Sequence, residues 1–276
     1  MQILPTKELL PFIKHYLFLE SKGNDLKQLR LFSDGNMGMV FSFKSNLLKD
    51  FDKTVQLEFL PGSFLYGQIS AFRDVCLSNE IDLIIVVFQP TGINQLTGIP
   101  ADDFSDNIIR TENIFAKQGQ ELYEKLAGRF SIQDKLRFLN IFFLQQLAKR
   151  VMPDDSLIRA VVDLIVKNKG LISSNQLIRL TGYTERQIER KFMESVGIGP
   201  KKFSNIVKLH IFLKELKSSQ NKKSFTHMAY EAGYADQSHL IREFKKITGM
   251  TPKIYQHNAD KLAINFVKFN NKRVPS

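Results

Sequence analysis

AGYADQSHLIREFKKITGMTPKIY, residues 232–255, is the stretch from which the rest of the chain can be read. Gly233-Tyr234 interrupts the helical run Thr226–Glu231, and glycine takes a left-handed turn conformation without steric cost. Asp236 stands where an N-cap belongs, its carboxylate able to accept the free N–H groups of the next turn. From there Leu240, Phe244, Ile247 and Thr248 recur at helical spacing and make one apolar stripe. At roughly 100° per residue, Ser238, Arg242 and Lys245 fall on the opposite face. Gly249 ends the helix and Pro252 prevents its continuation. Helix, tight turn, then a helix with a basic outer face is the layout that sets side chains into a DNA major groove.

The pattern occurs twice. LTGYTERQIERKFMESVGIGPKKF, from Leu180 to Phe203, repeats it with Gly182-Tyr183 for Gly233-Tyr234 and Ile188 for Leu240. Arg190 stands for Arg242, Phe192 for Phe244, Gly197 for Gly249, Pro200 for Pro252 and Phe203 for Tyr255. Only one residue between turn and helix breaks the register. In this copy Arg186 and Arg190 lie nearly opposite the Ile188/Phe192 stripe, so both copies present comparable polar faces. A repeat changes the fold that must be considered.

On these residues the sequence resembles the AraC/XylS transcription regulators. The likeness covers roughly Ser156 to Gln256, and its second half, AY-x-x-GY-x-DQSH-x-x-REFKK-x-TG-x-TP-x-x-Y, is very near the family signature. The connecting helix departs from it: Lys208 and Phe212 stand where the family commonly has Arg and a small residue. The resemblance implies an all-α domain of two helix-turn-helix units joined by a long helix. It carries Arg186, Glu189 and Arg190 over as base-facing in the first unit, and Gln237, Ser238, His239 and Arg242 in the second. Helical geometry adds Gln187. Arg can bond guanine bidentately and Gln can bond adenine. Lys201, Lys202, Lys245, Lys246 and Lys253 read as phosphate contacts, which set affinity and register rather than sequence. Glu189 has an alternative partner in Arg186 or Arg190, and His239 could instead pack locally. A connecting helix that holds the two recognition helices about 34 Å apart would let one chain read two successive grooves.

Charge distribution agrees. The chain of 276 residues has a formal net charge of +11, and residues 151–276 carry all of it, with 22 basic against 11 acidic side chains. Residues 1–150 balance at 17 of each. A basic segment beside a neutral one points to a polyanion partner for the first and another task for the second. A single cysteine, Cys76, excludes an intramolecular disulfide and a Cys-based zinc site, and reads as a buried small hydrophobe. The longest apolar run, Leu83–Phe88, falls far short of a membrane span of ~20 residues. With no signal-like N-terminus, a soluble cytoplasmic protein with no membrane partner is expected.

The N-terminal half reads as a short helix within Leu4–Phe18 running into an extended piece, then strands. These are Gly38–Phe43, Val55–Leu60, Phe64–Ile69, Phe72–Leu77 and Ile81–Phe88, separated by polar turns such as Ser45-Asn46, Pro61-Gly62 and Ser78-Asn79. Leu83–Phe88 is continuously apolar, as a central strand buried on both faces would be. Helices follow over Gly119–Phe130 and Ile132–Val151; in the second, Leu136, Leu139, Phe143 and Leu147 form a stripe that is either a dimer seam or a face packed on the domain itself. The expected fold is α+β: a β-rich barrel or sandwich with flanking helices over 1–152, the two-unit helical domain over 153–258, and a tail, 259–276, as an added strand or a frayed end. Met152-Pro153-Asp154-Asp155 marks the boundary.

HExxH, GxSxG, GxxxxGK[ST] and GxGxxG are all missing from the sequence, so neither catalysis nor a cofactor or metal is expected. Double-stranded DNA is the expected partner, with RNA polymerase, a small-molecule effector and a second copy of the chain as further candidates. Three functions stay open: a ligand-responsive transcription regulator, activator or repressor, of bacterial type; a regulator whose N-terminal half serves protein contacts; and an enzymatic N-terminal domain fused to a DNA-binding module.

Overall fold

A computed structural model of the chain describes residues 1–21, 27–44, 47–51, 56–77, 81–150, 154–218, 224–257, 261–263 and 265–269. Strands run in the order β1 (Gln2–Ile3), β2 (Ile13–Ser21), β3 (Lys27–Leu31), β4 (Gly38–Ser42), β5 (Leu47–Phe51) and β6 (Gln56–Phe59). They continue with β7 (Ser63–Tyr66), β8 (Arg73–Leu77), β9 (Ile81–Phe88), β10 (Ile108–Arg110), β11 (Lys261–Ala263) and β12 (Phe266–Phe269). Among the described residues these form two antiparallel six-stranded sheets, ordered β1-β2-β9-β4-β7-β10 and β11-β12-β3-β8-β5-β6. They stack face to face as an open sandwich, so "barrel" describes them only loosely.

β9 shows why the sheets stack. Its Leu83, Ile85 and Val87 enter a core shared with Leu29 of β3 and Phe64 of β7. The alternate residues Ile84, Val86 and Phe88 face the other way, into a core closed by helices. A strand flanked by β2 and β4 and buried on both faces must be apolar at every position, which explains the unbroken run.

Helices α1 (Gly92–Thr97), α2 (Thr111–Phe115), α3 (Lys117–Ala127) and α4 (Ile132–Ala148) cover that outer face. Leu139 and Phe143 of α4 are fully buried, and the Phe143 ring meets Phe88 edge-on at 5.8 Å. Leu136 and Leu147 pack against the same core. The stripe therefore takes the second of its two readings, a face packed on the domain itself.

The C-terminal helices are α5 (Ser156–Lys167), α6 (Ser174–Thr181), α7 (Glu185–Val196), α8 (Pro200–Ser218), α9 (Phe225–Glu231), α10 (Gln237–Thr248) and α11 (Pro252–His257). The repeated units sit around two cores. Ile158, Leu177, Ile188 and Phe192 close the first, and Met228, Leu240, Phe244 and Tyr255 the second. The connecting helix α8 serves both, giving Phe203 and Ile206 to one and Leu209, Phe212 and Leu213 to the other. Among the described residues no helix is long and apolar enough to cross a membrane.

Several expectations change. Within Leu4–Phe18 there is only a 3-10 turn, Lys7–Leu9, before β2. The strands β3 and β5 lie outside the expected set: in their sequences, KQLRL and LLKDF, charged residues break up the apolar ones. Within 259–276 the described residues 266–269 follow the added-strand reading: β12 pairs antiparallel with β3, Phe266 opposite Leu31 and Phe269 opposite Gln28. Phe266 enters the sandwich core while Val267 enters the core of the second helical unit. One strand thereby belongs to two cores, as side-chain alternation allows. The Cys76 side chain, the turns at Ser45-Asn46 and Ser78-Asn79, and the boundary residues Met152-Pro153 lie outside what the structure describes.

Candidate nucleic-acid interface

The first unit turns at Gly182, whose φ of +74° caps α6. α7 then opens with a capping box. The Thr184 hydroxyl accepts from the Gln187 N–H (3.3 Å), and Gln187 Oε1 accepts from the Thr184 N–H (3.0 Å) and hydroxyl (2.9 Å). Gln187, expected to face bases, thus commits its carbonyl oxygen to the helix start and keeps only its amide donors free. Ile188 and Phe192 are buried, which turns Arg186 and Arg190 outward, both exposed. Arg190 has a long, exposed ion pair with Glu194 (3.9 Å), an arrangement that contributes little. Glu189 is half-buried beside Gly199, and desolvation, reinforced by Glu185, holds its carboxyl above the usual range. It pairs with neither Arg186 nor Arg190 in the structure.

The second unit is built alike. Asp236 caps α10 through a 2.7 Å bond from the His239 N–H, as its position in the sequence predicts. The His239 ring is half-buried, edge-on to Tyr234 at 5.6 Å, so its local packing role is present. Gln237, Ser238 and Arg242 are exposed, with Gln237 Oε1 accepting from the Thr226 hydroxyl (3.2 Å). Arg186 and Arg242 form no salt bridge among the described residues. Buried Leu240 and Phe244 fix which face they present.

Of the lysines read as phosphate contacts, Lys201, Lys245, Lys246 and Lys253 are exposed. Lys202 departs from that reading. It is half-buried and lines a cleft of about 210 Å³ with Ser33 and Ser70 of the N-terminal part and Glu243 and Lys246 of α10. Desolvation lowers its pKa, with Asp106 opposing and Lys246 adding to the shift. The two departures in the connecting helix both have structural roles. Lys208 lies over the Tyr234 ring at 5.4 Å, and Phe212, fully buried, meets Phe244 edge-on at 6.0 Å.

Contacts from the N-terminal part hold this surface, and local sequence patterns carry no signal of them because the partners are far apart in the chain. The Ser105 hydroxyl donates to the Gly197 carbonyl (2.7 Å). Arg30 donates through Nη1 to the Gly249 carbonyl (3.1 Å). Its Nε and Nη2 bond both Asp74 oxygens at 2.7 and 2.6 Å, and its guanidinium stacks on Phe72 at 4.0 Å. The His210 Nε2–H donates to the Ser33 carbonyl (3.0 Å).

Residues 177–258 match the family described as a helix-turn-helix domain, and residues 1–110 match one described as a domain of unknown function (DUF6597). An uncharacterised HTH-type transcriptional regulator from Staphylococcus aureus is 29% identical over 85 residues, 31% of this chain and 11% of that protein. The chain thus spans only about a tenth of the length of the curated relatives it matches. Among solved structures, ToxT from Vibrio cholerae shares 14% identity with a TM-score of 0.49, covering 88% of this chain and 97% of that one. A probable AraC family regulator from Rhodopseudomonas palustris shares 25% identity over 38% of this chain and 98% of that one, with a TM-score of 0.35.

Proposed function

We propose that the chain is a sequence-specific DNA-binding transcription regulator of the AraC/XylS type, a reading supported by the helix-turn-helix domain matched over residues 177–258. One observation supports this above the others. Two equivalent helices, α7 and α10, each bury their apolar stripe and turn arginine outward, Arg186 and Arg190 on the first and Arg242 on the second, within the half of the chain that holds all the excess positive charge. Arg186, Arg190 and Arg242 are the base readers, and Lys201, Lys245, Lys246 and Lys253 engage phosphates. Selection of duplexes from a random pool by the full chain is the test. A recovered motif with two half-sites, bound with an affinity that falls steeply with salt, is expected. Recovery of no motif overturns the proposal.

A small apolar effector is the proposed input. Between the sheets lies a cavity of about 100 Å³, lined by Val40, Phe64, Val75, Ile85 and Phe266, with Arg73 and Asp106 as its charged groups. A cavity of roughly 150 Å³ accommodates benzene, so any larger ligand requires the sheets to part. A thermal shift of the full chain with small apolar acids, abolished by Val40→Phe, supports this input over regulation by protein contacts alone; no shift across the panel speaks against it.

A further inference from the structure

The two glycines gripped by the N-terminal part are the same glycine of the repeat. Gly197 and Gly249 both close a recognition helix in the left-handed conformation, at φ +83° and +69°. A helix C-terminus leaves carbonyls without intrahelical partners and carries partial negative charge. Each end receives one donor from the N-terminal part: the Ser105 hydroxyl, from the connection before β10, at Gly197 and the Arg30 guanidinium, from β3, at Gly249. Contact is close enough that a Cβ on Gly197 would sit 2.8 Å from the Ala101 carbonyl oxygen, and one on Gly249 would collide with the Phe72 ring.

Both donors are themselves held. Arg30 is 5% exposed, locked between the Asp74 carboxylate and the Phe72 ring, on a strand flanked by β8 and β12. Ser105 precedes Asp106, whose backbone is left-handed at φ +56° and whose Oδ1 accepts from the Ser70 N–H and from Arg73 Nη2, both at 2.9 Å. The candidate base readers Arg186, Arg190, Gln237, Ser238 and Arg242 lie nearer the N-terminal ends of the helices and stay exposed. The grip is on the ends away from the bases.

We propose that Arg30 and Ser105 are positioning residues for DNA recognition: the N-terminal sandwich, holding both recognition helices by equivalent C-terminal ends, sets their separation and so selects the spacing between half-sites. The proposal rests on the DNA-binding reading above. Within this scheme the connecting helix α8 alone does not fix the spacing, and specificity for spacing is encoded outside the helix-turn-helix units.

The test measures binding of the full chain to duplexes that carry both selected half-sites at the natural spacing and at one or two base pairs more or less. Wild type is expected to prefer the natural spacing by about tenfold or more, comparable to a mismatched base pair. Ser105→Ala and Arg30→Lys should each flatten that preference while leaving base preference within each half-site unchanged. Ser105→Thr, which keeps the hydroxyl, should restore it. Ser105→Ala removes one hydroxyl and leaves a folded chain to measure even if the buried Arg30 site tolerates no change. Unchanged spacing preference in the variants, or tighter binding at the same spacing, overturns the proposal while the regulator reading stands. If wild type selects no DNA at all, both fail.

Discussion

Arg190 and Arg242 occupy the same place in the repeat, exposed on helices whose opposite face is buried. Replacing either with Ala should cost about 1–3 kcal/mol in DNA affinity and relax preference at one base pair, whereas Lys245→Ala should weaken all sequences alike and reduce the salt slope by about 1. Competition binding at several salt concentrations separates the two outcomes. His210 makes a second prediction. Desolvation holds its pKa below the usual 6.5, and its ring packs 6.2 Å from Phe32 while donating to Ser33. The unfolded chain therefore binds more protons below that pH, and the folded state loses stability as pH falls through it. His15, also lowered chiefly by desolvation, acts in the same direction. His210→Gln keeps a donor for Ser33 and cannot titrate, so urea melts between pH 7 and pH 5 should show a shallower loss than wild type. Asp106 works at lower pH. Its carboxyl is pushed up by burial, but the Ser70 bonds and Arg73 outweigh this and hold it below the usual value, so its contribution disappears only as pH falls through that depressed value.

At the scale of elements, caps decide how sharply each recognition helix begins. Asp236→Ala removes the acceptor of the His239 N–H and should cost about 1 kcal/mol, with Asp236→Asn nearly neutral. Denaturant unfolding checks the first value, and DNA affinity should fall with it because Gln237 and Ser238 sit in the frayed turn. This cap was legible in the sequence, as were the stripes of α7 and α10 and the strand β9, since each depends on residues a few positions apart. Gln187 carries two signals at once: its place on the outer face of α7, and the Thr184/Gln187 spacing of a capping box, which the structure forms. β3 was illegible for another reason. Its Leu29 and Leu31 serve the sandwich while Arg30 between them serves a helix end two hundred residues later. A central arginine reads as loop until its partner is known.

For the whole molecule, the two halves are not independent bodies joined by a linker. Phe32 lies in the core of the second helical unit, and β12 divides its side chains between that core and the sandwich. Val267 is fully buried, and Val267→Ala should cost about 2 kcal/mol. The loss should appear in a single unfolding transition followed by both near-UV and far-UV signals, rather than in a separate melt of either half. Sequence gave little hint of this arrangement. Alternating apolar residues near the end suggest a strand, but a strand's partner is a property of the complete fold.

The β3–β12 pairing also constrains how a new chain matures. While a ribosome is still making the helical units, β3 has only β8 beside it, and its other backbone edge has no mate until Phe266–Phe269 emerge. An unpaired edge of this kind invites pairing with other chains. The nascent sandwich therefore waits, aggregation-exposed, for nearly the whole of synthesis. Slow translation or early termination should drive misassembly of the sandwich, even though every residue of β1 to β10 is already present.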